Sequence, residues 1–323
     1  MPVCPLPSIP SISPPSTTVF RSPFMAAHHH CDSMDNYPVP LSPPLPLISK
    51  DIELNRAMSA SSKSSLFSLS RSDVLHEDEW LIALNKPQGV YCETILSSVQ
   101  SLVNDCVCRS GTQSKKTEFH LANRLDRDTS GVILVTKLHK VAAKLVKAFT
   151  DHKVRKTYIA SCVGQAPKWK KMTIKSGHGR SKFGAWRVYA AKDVGRTLPG
   201  GSSVRDMETL FEVLSINGDQ CNQESSEIDI VVEEKSSVEL VGNKVAVLVR
   251  AYPRSGRTHQ IRLHCQYLGI PVKGDVKYEG VYEWNGRVYD GHQLHAESLS
   301  FEHPVTGSSI VINAPLPSWA TQG

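Results

Sequence analysis

The stretch His120–Lys137, HLANRLDRDTSGVILVTK, decides how the chain is read. It joins a charge-dense turn, Asn123 to Gly131, to the β-branched apolar run Val132-Ile133-Leu134-Val135. An unbroken apolar run next to turn residues predicts a buried strand. Thr129-Ser130-Gly131 closes the turn, and Asp126 stands between Arg124 and Arg127. Cationic neighbours favour the ionised form of a carboxyl, so Asp126 is expected to carry its charge. An ionised carboxylate beside a rigid strand can be a nucleophile or base, or a solvated turn residue. The turn alone leaves both open.

Beyond the run, Lys140–Phe149 has the period of an amphipathic helix, with Val141, Leu145, Val146 and Phe149 facing inward. Val154–Val163 reads as a strand. Between Lys137 and Arg205 there are 17 Lys or Arg against two acids, with Tyr158, Trp169, Phe183, Trp186 and Tyr189 interleaved. Cations serve phosphates and rings serve unpaired bases, so this density predicts a nucleic-acid surface. Glu208–Ile216 alternates as a strand. Asp219–Glu239 then reverses the sign, with seven acids and only Lys235 to offset them. Such a block repels a phosphate backbone and is expected to be an exposed loop away from the binding face. Val245–Val249 resumes as a strand.

A second arginine-rich stretch follows, Arg254–His264, RSGRTHQIRLH. Gly256 permits a tight turn, and the residues after it predict a helix whose N-terminus, with Arg257, would form an anion site. Arg257, Gln260 and Arg262 cannot share one face of that helix, so some must meet a partner and some must pair internally. His259 and His264 lack the HExxH spacing of a zinc helix.

Toward the N-terminus, Leu81–Leu84 reads as a short strand. Asn85-Lys86-Pro87-Gln88-Gly89 reads as a turn that presents Lys86 at the strand end. Thr94–Cys108 has loose helical spacing, and residues 109–117 form a polar loop. Residues 1–70 are rich in Ser and Pro with no surviving period, and are expected to be disordered. Before Asp32 the segment has one basic residue, Arg21, and no acid. Lack of acids fits an organelle transit peptide, whereas so little arginine fits an untargeted tail or a start at Met25. Chloroplast or mitochondrion and cytoplasm or nucleus therefore both stay open.

The bulk figures set outer limits. A chain of 323 residues with 40% hydrophobic and 21% charged residues can bury a sizeable core. Its net charge of +6 fits an anionic partner. No apolar stretch approaches the roughly 20 residues of a spanning helix. The eight cysteines include no CxxC pair and read as free thiols. The triplet His28-His29-His30 has no further ligands nearby. Phosphate-loop, GxGxxG, GxSxG and EF-hand patterns are all missing, so neither a nucleotide cofactor nor a metal is expected.

Asn123-Arg124-Leu125-Asp126-Arg127-Asp128-Thr129-Ser130-Gly131 resembles the HRLDxxTSG signature of the RluA-type RNA pseudouridine synthases, with Asn123 in place of the usual His. Ser255–His264 and Gly269–Asp275 resemble that family's later motif and its continuation. Asn85-Lys86-Pro87-x-Gly89, Lys156-Thr157-Tyr158 and Leu294-His295-Ala296 match shorter elements in the family's order, over about residues 74 to 315. The resemblance implies an α+β catalytic fold with a long, mixed, mostly antiparallel sheet flanked by helices. It implies an isomerase that converts specific uridines in rRNA, tRNA or mRNA to pseudouridine without a cofactor or metal. It further implies Asp126 as nucleophile, Tyr158 stacked on the target base and assisting proton removal, and Arg262 paired with Asp126. Arg124, Arg127, Lys156, Arg257 and Lys86 are expected to contact RNA.

The organisation expected is a disordered segment at 1–70, a catalytic domain at 71–316 with an acidic loop insertion at about 217–243, and a tail at 317–323. No S4-like RNA-binding module, membrane contact or obligate protein partner is expected. The competing reading is a catalytically silent RNA-binding protein or RNA chaperone on the same fold. The trio Asp126, Tyr158 and Arg262 favours the enzyme, because a pure binder has no use for a carboxylate aimed at phosphates.

Overall fold

The computed structural model describes residues 37–46, 49–110, 118–221, 227–235 and 243–321. The expectations for residues 1–36, including the transit peptide and the His28–His30 triplet, and for residues 111–117 of the polar loop, lie outside these. In chain order the first elements are α1 (Ser49–Ser64), β1 (Val74–Glu77), β2 (Leu81–Lys86), α2 (Cys92–Ser110), β3 (His120–Leu121) and β4 (Ser130–Thr136). All four residues of the Val132–Val135 run are fully buried inside β4.

Strand alternation splits that run between two cores. Val132 and Leu134 pack with Val141 and Leu145 of α3 (His139–Thr150). Ile133 and Val135 pack with Ile95 and Val99 of α2. Each such buried aliphatic side chain contributes about 1.5–3 kcal/mol, so helices on both faces hold β4 firmly. The turn that carries Asp126 enters directly into this strand.

The chain continues through β5 (Arg155–Gly164), β6 (Lys171–Arg180), β7 (Trp186–Tyr189), β8 (Arg205–Ile216), β9 (Asp219–Gln220), β10 (Glu227–Val231) and β11 (Val245–Pro253). Helix α4 (Gln260–Tyr267) follows, then β12 (Glu283–Trp284), β13 (Arg287–Val288), β14 (Leu294–Glu302), β15 (Ser309–Asn313) and α5 (Ser318–Thr321). One sheet runs β1-β2-β4-β14-β5-β11-β8-β6-β10, and β3, β7, β9 and β15 pair at its sides. Among the described residues, only the β14/β4 and β10/β6 pairs in it are parallel. The α+β class and the long, mostly antiparallel sheet are as the resemblance implies.

Gly131 shows why the turn ends in glycine. It has φ +106 and pairs with Ala296 across β4 and β14, and a Cβ there would sit 2.2 Å from the Ala296 carbonyl oxygen. The close approach of these two strands brings the Asp126 turn beside β5, which pairs with the other edge of β14.

Three sequence expectations are corrected. The segment 1–70 is not disordered throughout: α1 lies within it and is tied to the sheet domain by polar contacts that no apolar periodicity advertises. The acidic insertion at 217–243 is not simply a loop. Its described residues include β10, which pairs in parallel with β6 and sets Glu227 opposite Lys171. Opposite charges in register and the fully buried Val232 draw it into the sheet. The expected tail carries α5, with Ala320 buried.

Candidate active site

Asp126 sits between β3 and β4 in a turn whose backbone is held from several sides. Thr129 N donates to Asp126 O at 3.1 Å, and Gly89 N donates to Arg127 O at 3.0 Å. The Lys86 ammonium donates to Pro87 O, Val90 O and Arg127 O at 2.9, 2.7 and 2.8 Å. Farther along, Thr129 Oγ1 lies 2.8 Å from His292 Nε2, and Ser130 Oγ lies 2.8 Å from His295 Nδ1. Asn123, where the family signature has His, takes the N–H of Leu134 on its side-chain oxygen at 2.7 Å and so ties the turn to β4.

The cation that meets Asp126 comes from α4. Arg262 Nη1 donates to Asp126 Oδ2 at 2.7 Å. Its other nitrogens form a fork on Asp275, Nε to Oδ2 at 2.6 Å and Nη2 to Oδ1 at 2.9 Å. The guanidinium carbon lies 5.0 Å from the Tyr278 ring centroid. Arg262 and Asp275 are buried, with side-chain exposures of 5% and 1%, whereas Asp126 keeps 29%. A bidentate, buried pair fixes the guanidinium in orientation and leaves one nitrogen for the half-open carboxylate. His259, at φ 59, puts Nε2 3.8 Å from Asp126 and Nδ1 2.7 Å from the Tyr278 hydroxyl.

The electrostatics follow from this packing. Burial alone would push the Asp126 carboxyl upward, but the charge of Arg262 first, then His259 and His292 and the Arg262 hydrogen bond, outweigh it and hold the group well below the usual carboxylate range. Burial pushes His259 down to about 3, so it stays neutral beside Arg262. Burial, and then the negative charge of Asp126, raise the Tyr158 hydroxyl above its ordinary value. Burial brings Lys86 down to about 8.

A cleft of about 370 Å³ opens over the pair. Asp126, Tyr158, Arg262, Arg124, Lys156 and Arg257 all line it. A second hollow of about 290 Å³ also reaches Asp126, past Arg127, His292 and Lys277. A carboxylate held ionised, open to solvent and next to an aromatic ring can engage a flat, neutral ring inserted from outside. Among the described residues, no group of three or more His, Cys, Asp or Glu is placed to hold a metal.

The residues expected to contact RNA divide, and Lys86 is the one corrected. Lys86 is fully buried with its ammonium spent on three carbonyls, so it supports the turn and does not face RNA. Lys156 donates to Ser255 O at 2.7 Å and lies within the cleft wall. Arg127 directs Nε and Nη2 at Asp128, both at 2.7 Å. Arg257 precedes the helix, lines the cleft and holds the exposed Asp206 carboxylate at 2.6 Å. Arg124 is exposed at the cleft edge.

The basic face between Lys137 and Arg205 is likewise divided. Trp169 and Tyr189 belong to the buried core, and Lys170 donates to Val213 O and Cys221 O, both at 2.8 Å. At the other end of β6, His178 stacks on Trp186 with ring centroids 4.7 Å apart. There His178 Nε2 lies 2.9 Å from Thr258 O, beside the cleft. Asp275, Tyr278 and His259 are given no role by the sequence. Asp275 lies in the Gly269–Asp275 stretch, but no local spacing announces that it anchors an arginine 13 residues earlier.

Residues 80–267 match the family model described as RNA pseudouridylate synthase. A protein of Arabidopsis thaliana named RNA pseudouridine synthase 1 is 62% identical over 306 residues, 93% of this chain and 92% of that protein. A protein of the same name from Oryza sativa subsp. japonica is 57% identical, over 88% of this chain and 84% of its own length. The solved structure titled Human RNA Pseudouridylate Synthase Domain Containing 4 superposes with a TM-score of 0.52. It is 20% identical and is matched over 84% of this chain and 95% of its own, a likeness of fold.

Proposed function

Because the chain belongs to the RNA pseudouridylate synthase family and is an isomerase acting on RNA, we propose that Asp126 is its nucleophile, Arg262 the cation that keeps it ionised and Tyr158 the ring that receives the target base. The observation that carries this is the 2.7 Å contact between Asp126 and an arginine locked from behind by Asp275, at the edge of an open cleft.

The chemistry asks for these groups. A uridine inside structured RNA must be turned out of its stack before an enzyme can reach its glycosidic bond, and a side-chain ring then stabilises the flipped base. The bond from N1 to C1′ breaks, the base rotates, and a bond from C5 to C1′ forms. C5 gives up its proton and N1 gains one, so sugar and base are both retained. Asp126, charged at neutral pH, supplies the nucleophile directly, with no prior deprotonation. Arg262 holds that carboxylate in place and offsets charge changes at it without moving. Tyr158 stays a neutral phenol, so its share in proton removal is that of a hydrogen-bonding relay beside the base. Arg124, exposed at the rim, meets the RNA backbone, and Arg257 holds the cleft wall through Asp206.

The test is tritium release from RNA labelled at uridine C5. Wild type should release label. Asp126→Asn, which keeps shape but loses charge, should bind the same RNA and release none. Release that persists in Asp126→Asn would remove Asp126 from this role.

A further inference from the structure

Helix α1 is a polar helix docked without an apolar face. Only Ser49 and Ala60 in it are buried, and Leu54 and Met58 are about 60% exposed. Hydrogen bonds and charge therefore carry its attachment. Arg56 is the anchor: Nη1 donates to Gly274 O at 2.9 Å and Nη2 to Tyr289 O at 2.5 Å, with the side chain 9% exposed. Arg56 also holds Glu53 at 3.2 Å, and Glu53 reaches Arg127 Nη2 at 3.5 Å.

The two ends of this linkage matter more than its strength. Gly274 immediately precedes Asp275, the carboxylate that fixes Arg262. Arg127 immediately follows Asp126, and its guanidinium is braced by Asp128 on one side and Glu53 on the other. One turn of α1 thus touches the support of the cation and the support of the carboxylate, 218 and 74 residues away in sequence. Neither Arg56 nor Glu53 lines the cleft over Tyr158, and of the two only Glu53 reaches the second hollow beside Asp126.

We propose that α1 is a positioning element: Arg56, assisted by Glu53, holds the backbone before Asp275 and the side chain after Asp126 in the register that lets Arg262 meet Asp126. This rests on Asp126 being the reacting carboxylate. A shift of about 1 Å at a reacting centre can cost on the order of 100-fold in rate. Loss of the Arg56 clamp should therefore show in the chemical step rather than in RNA affinity.

The experiment measures single-turnover tritium release at saturating RNA for the full-length wild type, Arg56→Ala, Arg56→Lys, Glu53→Ala and Asp126→Asn. RNA affinity and thermal melting are followed in parallel. Arg56→Ala should lower the rate about 10- to 100-fold, with RNA affinity unchanged and the protein folded at the assay temperature. Its acid limb should move to higher pH, because Asp126 loses part of the field of Arg262. Arg56→Lys should recover part of the rate, since one ammonium can still reach a carbonyl. Glu53→Ala should cost at most about fivefold, as befits a half-exposed pair. Wild-type rates and an unmoved acid limb in Arg56→Ala would overturn the proposal. So would a loss confined to RNA affinity, or one that only follows the unfolded fraction. If Asp126→Asn is as active as wild type, or wild type releases no label, the reading of Asp126 falls and the inference falls with it.

Discussion

The two arginine-rich stretches, Asn123–Gly131 and Arg254–His264, look alike in sequence and do different work. In the first, Arg124 and Arg127 flank Asp126, yet one points to solvent and the other to Asp128. In the second, 136 residues from Asp126, Arg262 is buried and aimed back at it. The second also holds neutral histidines, the half-buried His259 and the buried His264, where the first holds none. Nearness along the chain did not choose the partner. What chose it was a third residue, Asp275, that fixes the guanidinium, and a burial deep enough to make the field count.

The largest expected effect comes from removing the distant partner. Arg262→Gln should lower tritium release about 100- to 1,000-fold. Asp275→Asn should destabilise the fold by about 3–5 kcal/mol in urea unfolding, because it takes the carboxylate fork from a buried guanidinium and leaves only the half-open Asp126 to meet its charge. Full activity and stability in both would erase the distinction between the stretches. Next in size is acid destabilisation. Burial holds His259 and His264 down to about 3. Below the ordinary value of about 6.5, the unfolded chain takes up protons that the folded one refuses. Stability is therefore complete above that pH and is lost as pH falls toward the folded values, on the order of 2 kcal/mol per histidine at pH 5. A melting temperature that does not fall between about pH 7 and 5 would contradict buried neutral rings.

Within the first stretch the effects should be smaller. Arg127→Ala should cost about 1–3 kcal/mol by leaving the buried Asp128 without its donor. Arg124→Glu should weaken RNA binding and reduce the salt slope by about one, with the rate at saturation retained. Lys171→Glu serves as the matched control. Lys171 lies opposite Glu227 at the far end of β6 from His178, so the slope should not change. A slope change as large as that of Arg124→Glu would return the RNA surface to the whole basic face.

Much of this is legible in the sequence. The Val132–Val135 run announced β4, and Lys140–Phe149 announced α3, because burial on a strand and on a helix stripe imposes periods that survive in sequence. Asp126, Tyr158 and Arg262 were singled out by ordered motifs, and a cleft brings them together. Lys86 was misjudged because a lysine at a strand end normally reaches water. Here three carbonyls from two turns converge on it, one of them 41 residues away. Helix α1 was missed because polar docking leaves no stripe. β10 was missed because its acids read as a solvated block, when it is the pairing with β6 that gives them a place. Long-range partners of polar groups have no period, and those were the parts the sequence could not show.

The central claim is that a remote arginine, not the adjacent ones, keeps Asp126 charged. Titration of the Asp126 carboxyl by carbon-13 NMR tests it, with the signal assigned by its absence from Asp126→Asn. Wild type and Arg124→Gln should show no titration of this group between about pH 7 and 5. In Arg262→Gln, burial is left unopposed by that guanidinium, and the titration should climb toward or into the window. A carboxyl that titrates in Arg124→Gln, or one unmoved in Arg262→Gln, would contradict the account.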